Sequence, residues 1–131
     1  MVCLTNFARQ RRGLPRFQMD DRLSDSASSK AADILRCNAF SHTACGRPFT
    51  WAMNKEYISG ASCWRAGENI AWGDEVLGSP REIFKAWMNS PLHRAAILNG
   101  QYRELGVGFR MGSLGGFRRA RIWVEHFGTL C

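Results

Sequence analysis

The chain has 131 residues, 45% of them apolar, enough to bury one core within a single domain spanning residues 1–131. Its 18 Lys+Arg against 11 Asp+Glu leave a net charge of +7. Polyanions are attracted, yet the arginines gather only at Arg9 to Arg16 and Arg118 to Arg121, without the interleaved aromatics of a base-reading surface, so nucleic acid is not an expected partner. No apolar run approaches the ~18 residues of a membrane span, and the first twenty residues carry Arg9, Arg11, Arg12 and Arg16 instead of a signal-type apolar stretch.

Leu4, Phe7 and Ala8 form a short helical stripe that stops at Arg12-Gly13, before Leu14-Pro15. Asp20 or Asp21 caps a second helix whose Leu23, Ala27, Ala31, Ile34 and Leu35 line one face, and which ends near Cys37-Asn38. After the loop from Ser41 to Pro48, Phe49, Ala52 and Met53 predict a third short helix, broken at Ser59-Gly60. Asn69-Ile70-Ala71-Trp72 reads as a short buried strand. Ser79-Pro80-Arg81-Glu82 is a capping box with proline at the first helical position, and Ile83, Phe84, Trp87 and Met88 supply the apolar face behind it. Ser90-Pro91-Leu92-His93 repeats that grammar at once, so the chain turns at Ser90 into a further short helix ending at Ile97-Leu98.

Beyond Asn99-Gly100 the apolar period changes from 3.6 to 2. Leu105, Val107, Phe109 and Met111 alternate with Gly106, Gly108, Arg110 and Gly112, and a glycine-bearing loop at Gly112 to Gly116 leads into a second strand. There Ala120, Ile122 and Val124 face one way, and Trp123 and Phe127 the other. Two apolar faces require cover on both sides. The predicted fold is therefore α+β, a three-layer α-β-α sandwich with a central, mainly antiparallel sheet.

Five cysteines with no C-x-x-C pair argue for an oxidising compartment rather than for zinc or thioredoxin-type chemistry. Cys37 and Cys45 flank a short polar turn and are expected to pair, at a gain of roughly 2–3 kcal/mol. Among Cys3, Cys63 and Cys131 at most one more bridge can form, and the pairing stays open.

Three separated segments carry the polar residues that need a function: Ser41-His42, Gly67-Glu68-Asn69-Ile70, and Trp87 through Arg94 with His93. Together with Asn6-Phe7-Ala8-Arg9, Gly13-Leu14-Pro15, Phe40-Ser41-His42, Ile97-Leu98, Leu105-Gly106-Val107-Gly108, Trp123-Val124 and Phe127-Gly128, their order along nearly the whole chain resembles the CAP superfamily. That superfamily comprises cysteine-rich secretory proteins, antigen 5 and pathogenesis-related 1 proteins; Trp87 to Leu98 resembles its bacterial SCP-like branch. The resemblance implies a central cleft lined by two histidines and acidic residues, positions matched by His42, Glu68 and His93. Where the eukaryotic branch has a second glutamate, three residues after a tryptophan, this chain has Ser90. No comparable role follows for Glu82 or Glu125.

Two imidazoles and a carboxylate make a three-ligand site with an open water position, so His42, His93 and Glu68 are candidate ligands of Zn2+ or another divalent metal. The competing reading has both histidines hydrogen-bonding across the cleft while Glu68 ties loop to strand. Ser41 and Ser90 invite a nucleophile reading, but N-capping accounts for Ser90. Asn69 is expected to bond backbone, Arg94 to pair with a carboxylate or cover its helix start, His126 to be solvated or sheet-paired, and the five tryptophans to serve as core and cleft wall.

The reading is a secreted or cell-envelope binding module, a monomer, with His42, Glu68, Ser90 and His93 at the cleft and a lipid or an anionic envelope component as candidate ligand. The alternative is a metal-assisted hydrolase acting on cell-wall or peptide substrates. Against it stands the lack of an H-E-x-x-H helix or a glycosidase-like carboxylate pair.

Overall fold

A computed structural model describes residues 1–131. Its helices are α1 (Val2–Gln10), α2 (Asp21–Arg36), α3 (Thr50–Met53), α4 (Pro80–Asn89) and α5 (Pro91–Ile97). Its strands are β1 (Gln18–Met19), β2 (Trp64–Gly73), β3 (Glu104–Leu114) and β4 (Phe117–Leu130). They form one sheet in the order β1-β3-β4-β2, antiparallel except for the parallel β1–β3 pair. The expected α+β sandwich is what forms.

Local chemistry accounts for most boundaries. Asp20 starts α2 by accepting the Arg22 and Leu23 backbone N–H groups at 2.8 and 3.1 Å. Ser79 Oγ accepts the Glu82 N–H at 3.4 Å, with Pro80 behind it as the first residue of α4. Helix α3 runs into one π-type turn over Asn54–Ile58 and stops before Ser59-Gly60. Two features exceed the sequence expectation. Strand β2 begins at Trp64 rather than Asn69, because all ten of its residues pair with β4, although Arg65, Ala66, Gly67 and Glu68 have little intrinsic strand preference. Strand β1 is only two residues long, too short for a periodic signal.

Helix α2 covers one sheet face. Its Ala27, Ala31 and Ile34 form a fully buried cluster with Ile70, Ala120, Ile122 and Val124. The approach is close because β3 carries glycine beneath the helix. A Cβ at Gly106 would stand 2.0 Å from the Leu23 carbonyl carbon, and one at Gly108 would stand 2.3 Å from that of Ala27. The opposite face is covered by α4 and α5, whose Ile83, Trp87 and Ile97 pack on Leu105, Phe127 and Phe17.

Helix α1 is tied to this second layer by polar contacts. Asn6 Oδ1 accepts the Phe17 N–H at 2.7 Å. The buried Arg9 donates to the carbonyls of Pro15, Ile97 and Asn99 at 2.8–2.9 Å, and its guanidinium lies 3.7 Å from the Phe17 ring centroid. This is the physical use of the Asn-x-x-Arg opening.

Cys37 and Cys45 are bonded, as expected, and the open pairing resolves as Cys63–Cys131, leaving Cys3 as an exposed thiol. No helix is long and apolar enough to cross a membrane.

Candidate functional site

Strand β2 is the sheet edge, and its period of two sends consecutive residues of Gly67-Glu68-Asn69 to different layers. Glu68 lies on the α2 side. Asn69 lies on the other, where its Nδ2 donates to the His93 carbonyl at 3.1 Å and holds α5 in place, the backbone role expected of it. Gly67 is required by a third contact: a Cβ there would meet the Tyr102 hydroxyl oxygen at 2.7 Å.

Glu68 is the hub of the site. Its side chain is 1% exposed, and its two oxygens meet two histidines: Oε1 lies 2.6 Å from His42 Nδ1 and Oε2 lies 2.8 Å from His126 Nε2. The far side of the His126 ring, Nδ1, is 2.7 Å from Ser26 Oγ on α2. Burial alone would push the Glu68 pKa up. The hydrogen bonds from His126 and His42 outweigh that and, with the Lys30 charge nearby, hold it below its ordinary value. Burial lowers the pKa of His126 against the opposing pull of Glu68. Burial thus favours the neutral ring, with Nε2–H facing the carboxylate, while Ser26 Oγ, whose hydroxyl reaches the Leu23 carbonyl at 2.9 Å, stands against Nδ1. His42 likewise turns its Nδ1 to the carboxylate, which leaves its Nε2 on the far side of the ring.

This order of residues corrects one expectation. His126 is neither solvated nor merely sheet-paired: it is completely buried, and it joins Glu68 to α2. Its position continues the inward series Ala120, Ile122, Val124, so the alternation that defined the strand already pointed at it. Ser26 and Lys30 were likewise overlooked. They are spaced four apart beside Ala27 and Ala31 on the buried stripe of α2, and polar residues on such a stripe are the signal. The Lys30 ammonium donates to the His42 backbone carbonyl, and burial lowers its pKa. The loop carrying His42 is thus held by Lys30, by Glu68 and by the Cys37–Cys45 bridge.

His93 reaches the same region from the opposite layer, as the third residue of α5. Its Nδ1 is buried with no hydrogen-bond partner. Burial lowers its pKa, with the nearby His42 adding to the effect. It lines a cleft of about 280 Å³ with Ser90, Phe40, Ile70, Trp72 and Trp87. A second hollow of about 320 Å³ shares Ala71, Trp72 and Ala86 with the first and extends it to Leu77.

The remaining candidates fall as follows. Ser90 stands at the N-cap position of α5 and at the cleft wall, but its side chain makes no capping bond. Ser41 Oγ is engaged with Thr43, accepting its N–H at 3.0 Å. Arg94 donates to the Met88 carbonyl at 3.3 Å instead of pairing with a carboxylate. Trp87 is core, with Nε1 bonded to the Ile70 carbonyl at 3.2 Å, and Trp72 is cleft wall; Trp51 and Trp64 are exposed.

Ser26, His126 and Glu68 have the connectivity of a hydrolase triad, but all three are buried beneath α2, where no substrate can reach Ser26 Oγ. For a cation, both Glu68 oxygens already accept ring N–H groups, and no group of three or more His, Cys, Asp or Glu side chains stands as a ready cluster. The donors left open are His42 Nε2 and the His93 ring. A carboxylate behind an imidazole that presents its other nitrogen outward is the arrangement that orients metal-binding histidines.

Comparison with known proteins gives consistent matches. The model of the cysteine-rich secretory protein family, CAP, matches residues 2–127. Bacillus subtilis (strain 168) YkwD is 40% identical over 129 residues, covering 97% of this chain and 45% of that protein. The membrane protein YlbC of the same strain is 31% identical over 105 residues, covering 80% of this chain and 29% of its own length. The chain thus spans less than half of the curated relatives it matches. Among solved structures, an extracellular SCP-domain protein of Bacillus anthracis superposes with a TM-score of 0.76 at 28% identity, over 96% of this chain and 38% of that one. An outer surface protein of Borrelia burgdorferi has the same fold, with a TM-score of 0.79 at 24% identity, over 99% of this chain and 90% of its own.

Proposed function

The chain belongs to the cysteine-rich secretory protein (CAP) family, and from that premise we propose that it is a secreted or cell-envelope binding module whose cleft takes a ligand with an apolar body and one polar group. The observation that carries this reading is an apolar-walled cleft that has Ser90 and the His93 ring, its Nδ1 without a partner, as its polar lining. A lipid of the cell envelope has that chemistry. Two disulfides support an oxidising location. We further propose that a zinc-like ion is held between His42 Nε2 and His93, with Glu68 fixing the His42 ring rather than ligating. Such an ion would supply a positive charge for a headgroup; the residues themselves orient it and exclude bulk water from the apolar side. Turnover of cell-wall or peptide substrates is not part of this reading, because the chain's one nucleophile-like hydroxyl beside a histidine and a glutamate is buried.

Native mass spectrometry of protein loaded with zinc and with envelope lipid tests both halves, followed by calorimetric zinc titration of wild type, His42→Ala and His93→Ala. The expected result is one ion per monomer, with affinity falling sharply in either variant and at acidic pH, where protonated imidazole cannot bind. Equal affinity in all three proteins would place any ion elsewhere. Zinc-independent lipid retention would leave the cleft as a purely apolar site.

A further inference from the structure

The helical layer of α4 and α5 does not reach the end of the β3–β4 hairpin. On that face Val107 and Trp123 are packed against the layer, but the next residues of β3 in the same alternation are not: Phe109 is 39% exposed and Met111 is 48% exposed. Phe109 stands opposite Trp123, with ring centroids 4.6 Å apart, and Met111 stands opposite Arg121. The turn between β2 and α4 lies alongside, since Arg121 donates to the Glu75 carbonyl and Trp123 Nε1 donates to that of Gly78 at 2.9 Å. It adds Val76 and Leu77, 74% and 65% exposed. Four large apolar side chains are thus uncovered at one end of the molecule.

The same end is basic. Arg118, Arg119 and Arg121 line one hollow with Phe117, Asp74 and Glu75; Arg110 stands on the hairpin and Arg81 begins α4. None of these arginines is in an ion pair. Asp74 and Glu75 offset part of the charge without matching it. Uncovered apolar side chains set among unpaired arginines need a partner that satisfies both. A second copy of this chain would bring arginine against arginine. A phosphate polymer would satisfy the arginines and leave Val76 and Leu77 in water. The interface of an anionic bilayer offers acidic headgroups above a shallow apolar layer.

We propose that the β3–β4 hairpin end and the 75–78 turn form a docking surface for an anionic lipid bilayer, with Val76, Leu77, Phe109 and Met111 entering the interface and the arginines contacting headgroups. Leu77 also lines the hollow that extends the cleft, so the surface borders the cleft, while Val76, Phe109 and Met111 lie outside its lining.

Co-sedimentation of the whole chain with phosphatidylcholine vesicles, and with the same vesicles containing phosphatidylglycerol, tests this. Binding is expected only to the anionic vesicles and should weaken with salt. Arg118→Gln/Arg119→Gln should weaken it about 30-fold, since each arginine near an anionic surface is worth about a factor of five. Val76→Ser/Leu77→Ser, at unchanged charge, should also weaken it several-fold; circular dichroism checks that each variant is folded. Equal binding to both vesicle types, or no binding by wild type, overturns the proposal without any variant. Unchanged binding by Val76→Ser/Leu77→Ser overturns it in favour of a charge-only partner such as an acidic protein or polymer.

Discussion

Glu68 and His126 face each other directly across the β2–β4 pair, and Glu68 Oε2 lies 2.8 Å from His126 Nε2 with both side chains essentially sealed from solvent. Because the pair lies under α2 and also holds the His42 loop, its protonation state bears on fold and cleft together. Both pKa values are lowered in the folded protein. For each group the unfolded chain takes up protons that the folded chain resists, so each contributes stability that is present above its ordinary value and lost as pH falls. His126 acts first, below its ordinary 6.5, and Glu68 acts below 4.5. Urea unfolding midpoints should therefore drop on acidification, and a His126→Phe variant should lose the upper part of that dependence. An unchanged upper limb in the variant would assign it to another group.

Glu125, next along β4 and pointing to the opposite face, works in the other direction. It is fully buried, Thr5 Oγ1 donates to its Oε1 at 2.6 Å, and its Oε2 has no partner. Burial pushes its pKa from 4.5 up to about 7, against the Thr5 bond. A raised carboxyl pKa contributes fully below the unfolded value of 4.5 and is lost as pH rises through about 7. Glu125→Gln keeps the acceptor for Thr5 and removes the ionisation. It should stabilise the protein by about 2–3 kcal/mol at mildly alkaline pH and much less near the unfolded pKa. With Glu125 removed, the His126 loss on acidification should steepen. A pH-independent effect of the substitution would contradict the assignment.

Gly106→Ala should be severely destabilising. The added carbon would stand 2.0 Å from the Leu23 carbonyl carbon and 2.2 Å from the Ser24 nitrogen, both backbone atoms of α2 that cannot swing aside. Overpacking of this kind costs roughly 1–3 kcal/mol or more even where a side chain yields. The control is Gly108→Ala, with backbone 2.3 Å away, which should be nearly as harmful. Thermal unfolding near wild type in both would mean that α2 can lift from the sheet.

Cys45→Ser opens an eight-residue separation and should cost roughly 2–3 kcal/mol on the chain-entropy account. Since the same loop presents His42, its ring resonances should broaden or shift while those of buried His126 stay in place. Loss of stability with an unmoved His42 would show that Lys30 and Glu68 suffice to hold the loop.

The segments of the site were legible in the chain itself, because His42, Glu68 and His93 stand in ordered motifs at the ends of elements with clear caps and periods. The layers followed from the same patterns: capping boxes and a change from period 3.6 to 2 are local properties, written within a few residues of one another. What local reading could not supply was which buried polar groups meet. His126 and Ser26 are 100 positions apart, and whether a polar residue on an apolar stripe is solvated or bonded depends on what the opposite layer brings to it. That in turn depends on glycines at 106 and 108 letting α2 approach the sheet. The pairing of Cys63 with Cys131 was undecided for the same reason: it is fixed by the antiparallel register that sets Trp64 against Leu130. Sequence determined the elements and the residues worth asking about; the close packing of layers decided that Glu68 answers to two histidines and that His93 stands apart, its Nδ1 unpartnered at the cleft.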